Sequence, residues 1–247
     1  MKKLGLTAAF ILLAVFMYTK DVFAHERTYV WTEGYNALPK GEHEIESFVT
    51  LQVPNGGQTN ANTWEYKGEL EYGVTDHWAL AHGERLKTQN QVGNDDSTNY
   101  EGFEFESRYR FGEKGKYWVD PLIFLEWATD FREKDHPNSL EGKIVLSKDL
   151  GKLNITYNQV LGSELGEKGR TTPEFSVAAN YEVLPNVHVG GEFVGQYWAP
   201  SSHRNELSLG PTLAYENKHF WVAAGTLFAV NHAANDHEAR VIVGVPF

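Results

Sequence analysis

The stretch TWEYKGELEYGV, residues 63–74, alternates strictly between two kinds of side chain. One parity is apolar apart from a glycine and holds Trp64, Tyr66, Gly68, Leu70, Tyr72 and Val74. The other parity is charged and holds Glu65, Lys67, Glu69 and Glu71. Because successive side chains of a β-strand point to opposite faces, the stretch predicts a strand with one apolar and one charged face. The alternation alone leaves open which face looks inward.

The same alternation recurs along the chain and predicts an all-β protein. Further clear cases are residues 103–111, 174–183, 187–197, 206–216 and 239–247. After residue 24 no comparable stretch has the period of a helix. Turn residues divide the chain into about twelve strands. We expect these near residues 42–53, 63–74, 78–89, 100–111, 117–131, 140–147, 152–161, 173–183, 187–198, 205–215, 219–229 and 238–247.

Long polar links and short links alternate between these strands. PNGGQTNAN and QVGNDDSTN are long, whereas TDH, LPN and ENK are short. An up-and-down antiparallel barrel with long loops on one rim and tight turns on the other has this rhythm. Pro211 falls inside a predicted strand, where proline cannot donate to the ladder, so we expect either a local bulge or a misplaced strand there.

The first 24 residues have the pattern of a secretory signal peptide. Lys2 and Lys3 precede an apolar run, and residues 22–24, VFA, fit a cleavage position before His25. The run is shorter than the roughly 20 apolar residues of a spanning helix, which argues against a membrane anchor. Removing the segment lowers the net charge from −11 by two, to −13.

Composition narrows the classes of function. An acidic exported chain is a poor binder of nucleic acid, so we expect no nucleic-acid partner. The chain contains no cysteine, which excludes disulfides and thiol chemistry. About 220 mature residues fit a single all-β domain or barrel.

The cleaved signal, the even number of alternating strands and an apolar last strand ending in Phe247 resemble a bacterial outer-membrane β-barrel protein. The likeness covers residues 42–247, and small twelve-stranded porin-like channels are the nearest group, including aromatic-degradation-pathway transporter-like proteins. The resemblance implies a transmembrane β-barrel in the bacterial outer membrane. It also implies contact with outer-membrane lipid and recognition of the terminal strand by the barrel-assembly machinery.

Aromatic residues near the strand ends indicate that the apolar parity faces lipid, because membrane interfaces select such residues. A soluble barrel with the reverse orientation is the alternative. The charged parity then lines a watery lumen. The residues that we expect to line the pore are Glu65, Lys67, Glu69, Glu71, Glu104, Glu106, Arg108, Arg110, Glu174, Glu182, Glu192, Glu206 and Arg240.

Acidic side chains outnumber basic ones on this parity. We therefore expect a passive porin-like channel for small polar or cationic solutes. Two alternatives stay open. Cross-strand ion pairs could close the lumen and leave a structural or adhesive barrel, or the protein could be an outer-membrane lipid hydrolase.

Signals for chemistry are weak, and we expect no enzyme activity, no catalytic residue, no metal site and no cofactor. Residues 201–206, SSHRNE, hold the residue types of serine catalysis, but in a polar loop. His82 and Glu84 share a strand face and are interpreted as a polar cluster of the lumen. His232, Asp236 and His237 lie close in sequence, and an N-terminal His25 could chelate copper, but chance explains both.

Residues 25–41, HERTYVWTEGYNALPKG, precede the first clear strand. They could remain in the periplasm, or they could fold into the lumen as a plug. A short strand over residues 28–31 is a further possibility.

Overall fold

The computed structural model describes residues 27–54, 62–90, 97–135, 137–167, 169–197 and 205–247. The predicted signal peptide, His25 and residues 201–204 of the serine–histidine loop lie outside these residues. No helix in the described part of the chain is long and apolar enough to cross a membrane.

Twelve strands form the fold. They are β1 (His43–Val53), β2 (Asn62–Thr75), β3 (Trp78–Asn90), β4 (Ser97–Arg110), β5 (Asp120–Asp130), β6 (Asn138–Leu150), β7 (Leu153–Leu165), β8 (Thr171–Leu184), β9 (Val187–Gln196), β10 (Glu206–Glu216), β11 (Trp221–Ala229) and β12 (His237–Pro246). Every expected strand is present, although several strands begin or end at residues other than those expected. β6 continues through polar Lys148 and Asp149 because both pair with residues of β7.

The strands form one closed barrel in which each strand pairs with its neighbours in sequence. The first and last strands close it in antiparallel fashion, with Ile45 opposite Val245. The prediction of an all-β, up-and-down antiparallel barrel of twelve strands is therefore confirmed. Residues 28–31 form no strand.

The apolar parity faces outward. Leu70 and Phe105 are 47% and 51% exposed, whereas Glu69 and Glu71 of the opposite parity are 3% and 0% exposed. An outer face of large apolar side chains around a charged interior is the pattern of a barrel surrounded by hydrocarbon. The charged face of residues 63–74 is therefore the inner face of the barrel, and the apolar face is the outer one.

Among the described residues the register shifts in three strand pairs, β2–β3, β3–β4 and β8–β9, but not at Pro211. Pro211 pairs with Gly191 in the regular β9–β10 register, and the register against β11 is unshifted on either side of it, so the expected bulge is wrong. A bulge occurs instead in β4, where the register with β3 shifts beyond Arg85. Gly102 there has a φ of 154°, and a Cβ would lie 2.0 Å from the Thr129 carbonyl oxygen, so only glycine fits.

Candidate functional site

Lys67 of β2 lies at the centre of an ion network inside the barrel. Its Nζ is 2.7 Å from carboxylate oxygens of Glu69 and Glu104 and 3.0 Å from Glu106. Arg85 adds a second contact to Glu104, at 3.4 Å. One ammonium group therefore joins carboxylates of two strands, β2 and β4, that are not neighbours.

Arg108 of β4 forms a second, deeper centre. Its guanidinium contacts Glu71 at 2.6 Å, Glu106 at 2.7 Å and Glu69 at 3.2 Å. The Arg108 side chain is 2% exposed, so these contacts are shielded from bulk water. Removing one member of such a buried network leaves its partners uncompensated, which is strongly destabilising.

Small residues in β3 make both centres possible. The inward side chains of β3 opposite the network are Ala79, Ala81 and Gly83, and the two alanines are buried. A Cβ on Gly83 would lie 2.9 Å from the Glu104 Cγ. The long side chains of β2 and β4 can therefore meet across β3.

Carboxylates exceed basic groups in this part of the interior. Three basic side chains, Lys67, Arg85 and Arg108, contact four carboxylates on the strand walls: Glu69, Glu71, Glu104 and Glu106. Arg108 also approaches Glu33, at 3.9 Å. Cross-strand ion pairs, one of the two interpretations of the charged parity, are present here, and the carboxyl groups in them outnumber the basic groups.

Residues 27–41 are here called the N-terminal segment; residues 27–38 lie inside the barrel, buried or half-buried, and residues 39–41 are exposed at the short-turn rim. The backbone N–H groups of Val30, Trp31 and Thr32 donate to the Glu192 carboxylate at 2.6, 2.9 and 2.6 Å. Glu192 of β9 is fully buried. One wall carboxylate therefore satisfies three successive backbone donors, the arrangement by which a backbone nest holds an anion.

Further hydrogen bonds anchor the segment to β7 and to the turn after β4. The Tyr29 hydroxyl donates to the Asn154 Oδ1 at 2.5 Å, and the Glu33 N–H donates to the Asn158 Oδ1 at 2.6 Å. The Tyr35 hydroxyl donates to the Gly112 carbonyl oxygen at 2.6 Å. These contacts span β7 and the turn after β4, so the segment is tied across the lumen.

Apolar contacts support the same placement. Val30 packs in a buried cluster with Phe48, Ala214, Trp221, Ala223 and Ile242. Tyr35 packs in a second cluster with Leu122, Phe124 and Val145. The inward face of the strands is mostly polar but carries some apolar side chains. These apolar side chains pack against apolar residues of the segment.

Arg27 and Glu33 form an ion pair within the segment, at 3.8 Å. Burial alone would raise the pKa of the Glu33 carboxyl, but Arg108, Arg27 and Lys143 outweigh burial and hold that pKa below its ordinary value. Glu33 is therefore an anion matched to the positive charges around it.

Two of the cavities formed by the described residues adjoin the N-terminal segment in the interior. The short-turn cavity has a volume of about 280 Å³ and is lined by residues such as Asn154, Lys152 and Glu182. The long-loop cavity has a volume of about 310 Å³ and is lined by residues such as Lys87 and Asp130. Arg27 and Glu33 line both cavities, so the N-terminal segment lies between them.

The thirteen residues expected to line the pore all lie on strands, and none is exposed on the outer surface. Six are buried in the interior: Glu69, Glu71, Glu104, Glu106, Arg108 and Glu192. The other seven are half-buried: Glu65, Lys67, Arg110, Glu174, Glu182, Glu206 and Arg240. Arg110 lies at the short-turn rim, where its Nε donates to the Asp76 carbonyl oxygen at 2.7 Å.

Sequence reasoning missed the neutral side chains that hold the segment. Asn154, Thr156 and Asn158 share the inward parity of β7 and are half-buried or buried. The alternation of polar and apolar residues in β7 was the available signal.

The interpretation of His82 and Glu84 as a lumen cluster is wrong. Both residues share the outward parity of β3 with Leu80 and Leu86, which are 40% and 43% exposed. The pair therefore lies on the outer wall of the barrel.

The close spacing of His232, Asp236 and His237 in sequence does not correspond to a group of potential metal ligands in the described residues. The described residues show no ligand group around His232, and His237 instead shares a hydrogen bond with the Thr226 hydroxyl at 2.6 Å. Two buried trios have carboxylate oxygens within 4.8 Å of one another: Glu44, Glu46 and Glu71, and Glu69, Glu104 and Glu106. Each trio contacts Arg108 or Lys67, which already supply counter-charge.

Comparisons with known proteins agree with this architecture. An outer-membrane channel from Pseudomonas putida F1 is similar, with a TM-score of 0.64, 10% identity, and coverage of 89% of this chain and 100% of that one. The KdgM porin has a TM-score of 0.55, 12% identity, and coverage of 83% and 99%. The NanC porin has a TM-score of 0.53, 12% identity, and coverage of 83% and 98%.

No family model and no curated protein matches the sequence. The structural likenesses confirm the predicted fold, a closed up-and-down β-barrel of twelve strands.

Proposed function

We propose that this protein is an outer-membrane channel for passive diffusion of small polar or cationic solutes, and that the N-terminal segment acts as its plug. The surplus of carboxylates over basic groups in the interior is the observation that carries the proposal. A lining with net negative charge concentrates cations and repels anions.

The similar structures support transport as the general function. They are a channel and two porins, and one structure of the KdgM porin holds disordered oligogalacturonate. Oligogalacturonate is polyanionic, whereas the interior of the present barrel is rich in glutamate. We therefore propose a different solute class for this chain.

The two cavities support the plug. Each cavity is large enough for a small solute, and the N-terminal segment with its Arg27–Glu33 pair lies between them. Passage then requires the segment to move, and the hydrogen bonds to Glu192 oppose that movement. The channel in this state is closed or narrowly open.

Other assignments follow from the location. The outer wall contacts outer-membrane lipid, the terminal strand with Phe247 is the element offered to the barrel-assembly machinery, and small solutes are the ligands of the lumen. The acidic chain has no nucleic-acid partner in this proposal, and no covalent chemistry is assigned to it.

Conductance in planar lipid bilayers tests the proposal. The wild-type protein is expected to give small, intermittent currents. Under a KCl gradient their reversal potential is expected to lie toward the equilibrium potential of K⁺, which indicates cation selectivity. Anion selectivity would contradict the acidic-lining mechanism. A correctly inserted barrel that gives no current, even when the plug is loosened, would favour the closed structural barrel.

A further inference from the structure

The outer wall of the barrel carries one pair of ionisable side chains where hydrocarbon is expected. Glu84 is the seventh of the 13 residues of β3, midway between its ends, and His82 precedes it on the same face. In the described strands, no other Asp, Glu, His, Lys or Arg lies on the outward parity more than two residues from a strand end. Such residues inside a membrane are expensive and mark functional sites.

Hydrogen bonds and a ring contact hold His82 and Glu84 in a defined arrangement. The His82 Nε2 lies 2.9 Å from the Glu84 Oε1, and the Tyr100 hydroxyl of β4 donates to the Glu84 Oε2. The His82 ring packs on Phe105 with centroids 4.8 Å apart. Beside the pair, Gly68 of β2 leaves open space on the outer surface.

The hydrogen bonds do not cover the pair. The side chains of His82 and Glu84 remain 40% and 52% exposed, on a wall whose other mid-strand residues suit lipid. Each carboxylate oxygen of Glu84 has one partner and can accept another. Lipid acyl chains offer neither donors nor compensating charge, so this surface is matched to a polar partner within the membrane.

We propose that the face of β2, β3 and β4 around His82 and Glu84 is an interface at which two copies of this chain associate in the membrane. A second copy supplies the required chemistry because the pair combines an imidazole, which can donate a hydrogen bond, with a carboxylate, which accepts one. A two-fold axis along the membrane normal, passing between His82 and Glu84, brings each His82 near the Glu84 of both copies. The interface is then self-complementary in hydrogen-bond donors and acceptors, as an isologous dimer requires.

Aromatic side chains extend the interface beyond the polar pair. Phe103 contacts both Phe105 and Trp127 edge-on or nearly so, with centroids 5.7 and 5.8 Å apart. Tyr100 and Phe131 continue this group. Rigid aromatic rings around a central polar contact are the residues that interfaces favour.

Disulfide trapping in native outer membranes tests the proposal, since the chain has no cysteine of its own. Leu86→Cys places a thiol on β3 beside the proposed axis, and Leu209→Cys on β10 is a matched control with similar exposure on another wall. Mild oxidation is expected to give several-fold more covalent dimer with Leu86→Cys. Equal yields from the two variants would overturn the proposal and assign the surface to lipid or to a different protein.

A second variant tests whether the pair itself holds the interface. His82→Leu/Glu84→Leu makes this surface fully apolar, which suits lipid, so the barrel is expected to fold and keep its heat-modifiable mobility on SDS gels. Combined with Leu86→Cys, it is expected to reduce the covalent dimer to the yield of Leu209→Cys. An unchanged dimer yield would show that the pair does not join the two copies.

Discussion

Replacing Glu192 by glutamine tests the attachment of the N-terminal segment most directly. The Glu192 carboxylate accepts three backbone hydrogen bonds, from Val30, Trp31 and Thr32. A hydrogen bond to a charged group contributes about 1.5–3 kcal/mol. Glutamine keeps one carbonyl oxygen but turns an amide N–H group toward backbone donors, so at least one bond is lost and the rest weaken.

We expect a loss of about 3 kcal/mol in docking of the segment, which is on the order of a 100-fold shift toward the undocked state. The remaining anchors, Tyr29 on Asn154 and the apolar cluster around Val30, limit the effect. In planar bilayers the open fraction should rise accordingly. A single Val30→Cys substitution, buried when the segment is docked, should react with an impermeant maleimide about 100 times faster in the Glu192→Gln background.

Glu174→Gln is the matched control for this experiment. Glu174 is also an inward carboxylate of the wall, but it accepts its hydrogen bond from Gln196 rather than from the segment. It should change neither labelling nor open fraction by more than a small factor. If Glu192→Gln leaves both the labelling rate and the current at wild-type levels, the attachment through Glu192 is refuted.

Three further predictions concern the interior. Tyr35→Ala removes a buried ring and should weaken docking by about 3–5 kcal/mol, measured as faster maleimide labelling; an unchanged rate would mean that the ring does not anchor the segment. The pKa of the Glu33 carboxyl is lowered in the docked segment, so this carboxylate contributes fully to the stability of docking above its ordinary pKa of 4.5. That contribution is lost as the pH falls through the lowered pKa. Current should therefore rise on acidification, and Glu33→Gln should conduct more at neutral pH and respond less to acid; an acid response equal to wild type would contradict this. The pair Glu65→Gln/Glu206→Gln removes two half-buried inward carboxylates and should move the reversal potential in a KCl gradient toward zero. Glu164→Gln, exposed at the end of β7, should not, and equal shifts would argue against selection by the acidic lining.

The fold could be predicted from sequence because the period of two is a local property. Alternation in residues 63–74 and its repeats fixed the strands, and the order of long and short links fixed the topology. Boundaries were less certain because polar residues such as Lys148 and Asp149 continue a ladder as readily as they end one.

The attachment of the segment could not be predicted in the same way. Its main contacts are backbone N–H groups of residues 30–32, which carry no sequence signal, and their acceptor lies 160 positions away from Thr32. The orientation of His82 and Glu84 was different. Their parity with Leu80 and Leu86 was readable, and the error came from assuming that ionisable residues must face the lumen.

The N-terminal segment is continuous with the barrel wall. The Gly41 N–H donates to the Gly73 carbonyl oxygen at 2.8 Å, and β1 begins two residues later. A displaced segment therefore stays on a short tether, at an effective local concentration in the millimolar range. Rebinding is then an intramolecular event that is independent of protein concentration, so the pore should flicker rather than remain open, and a solute would pass in brief bursts.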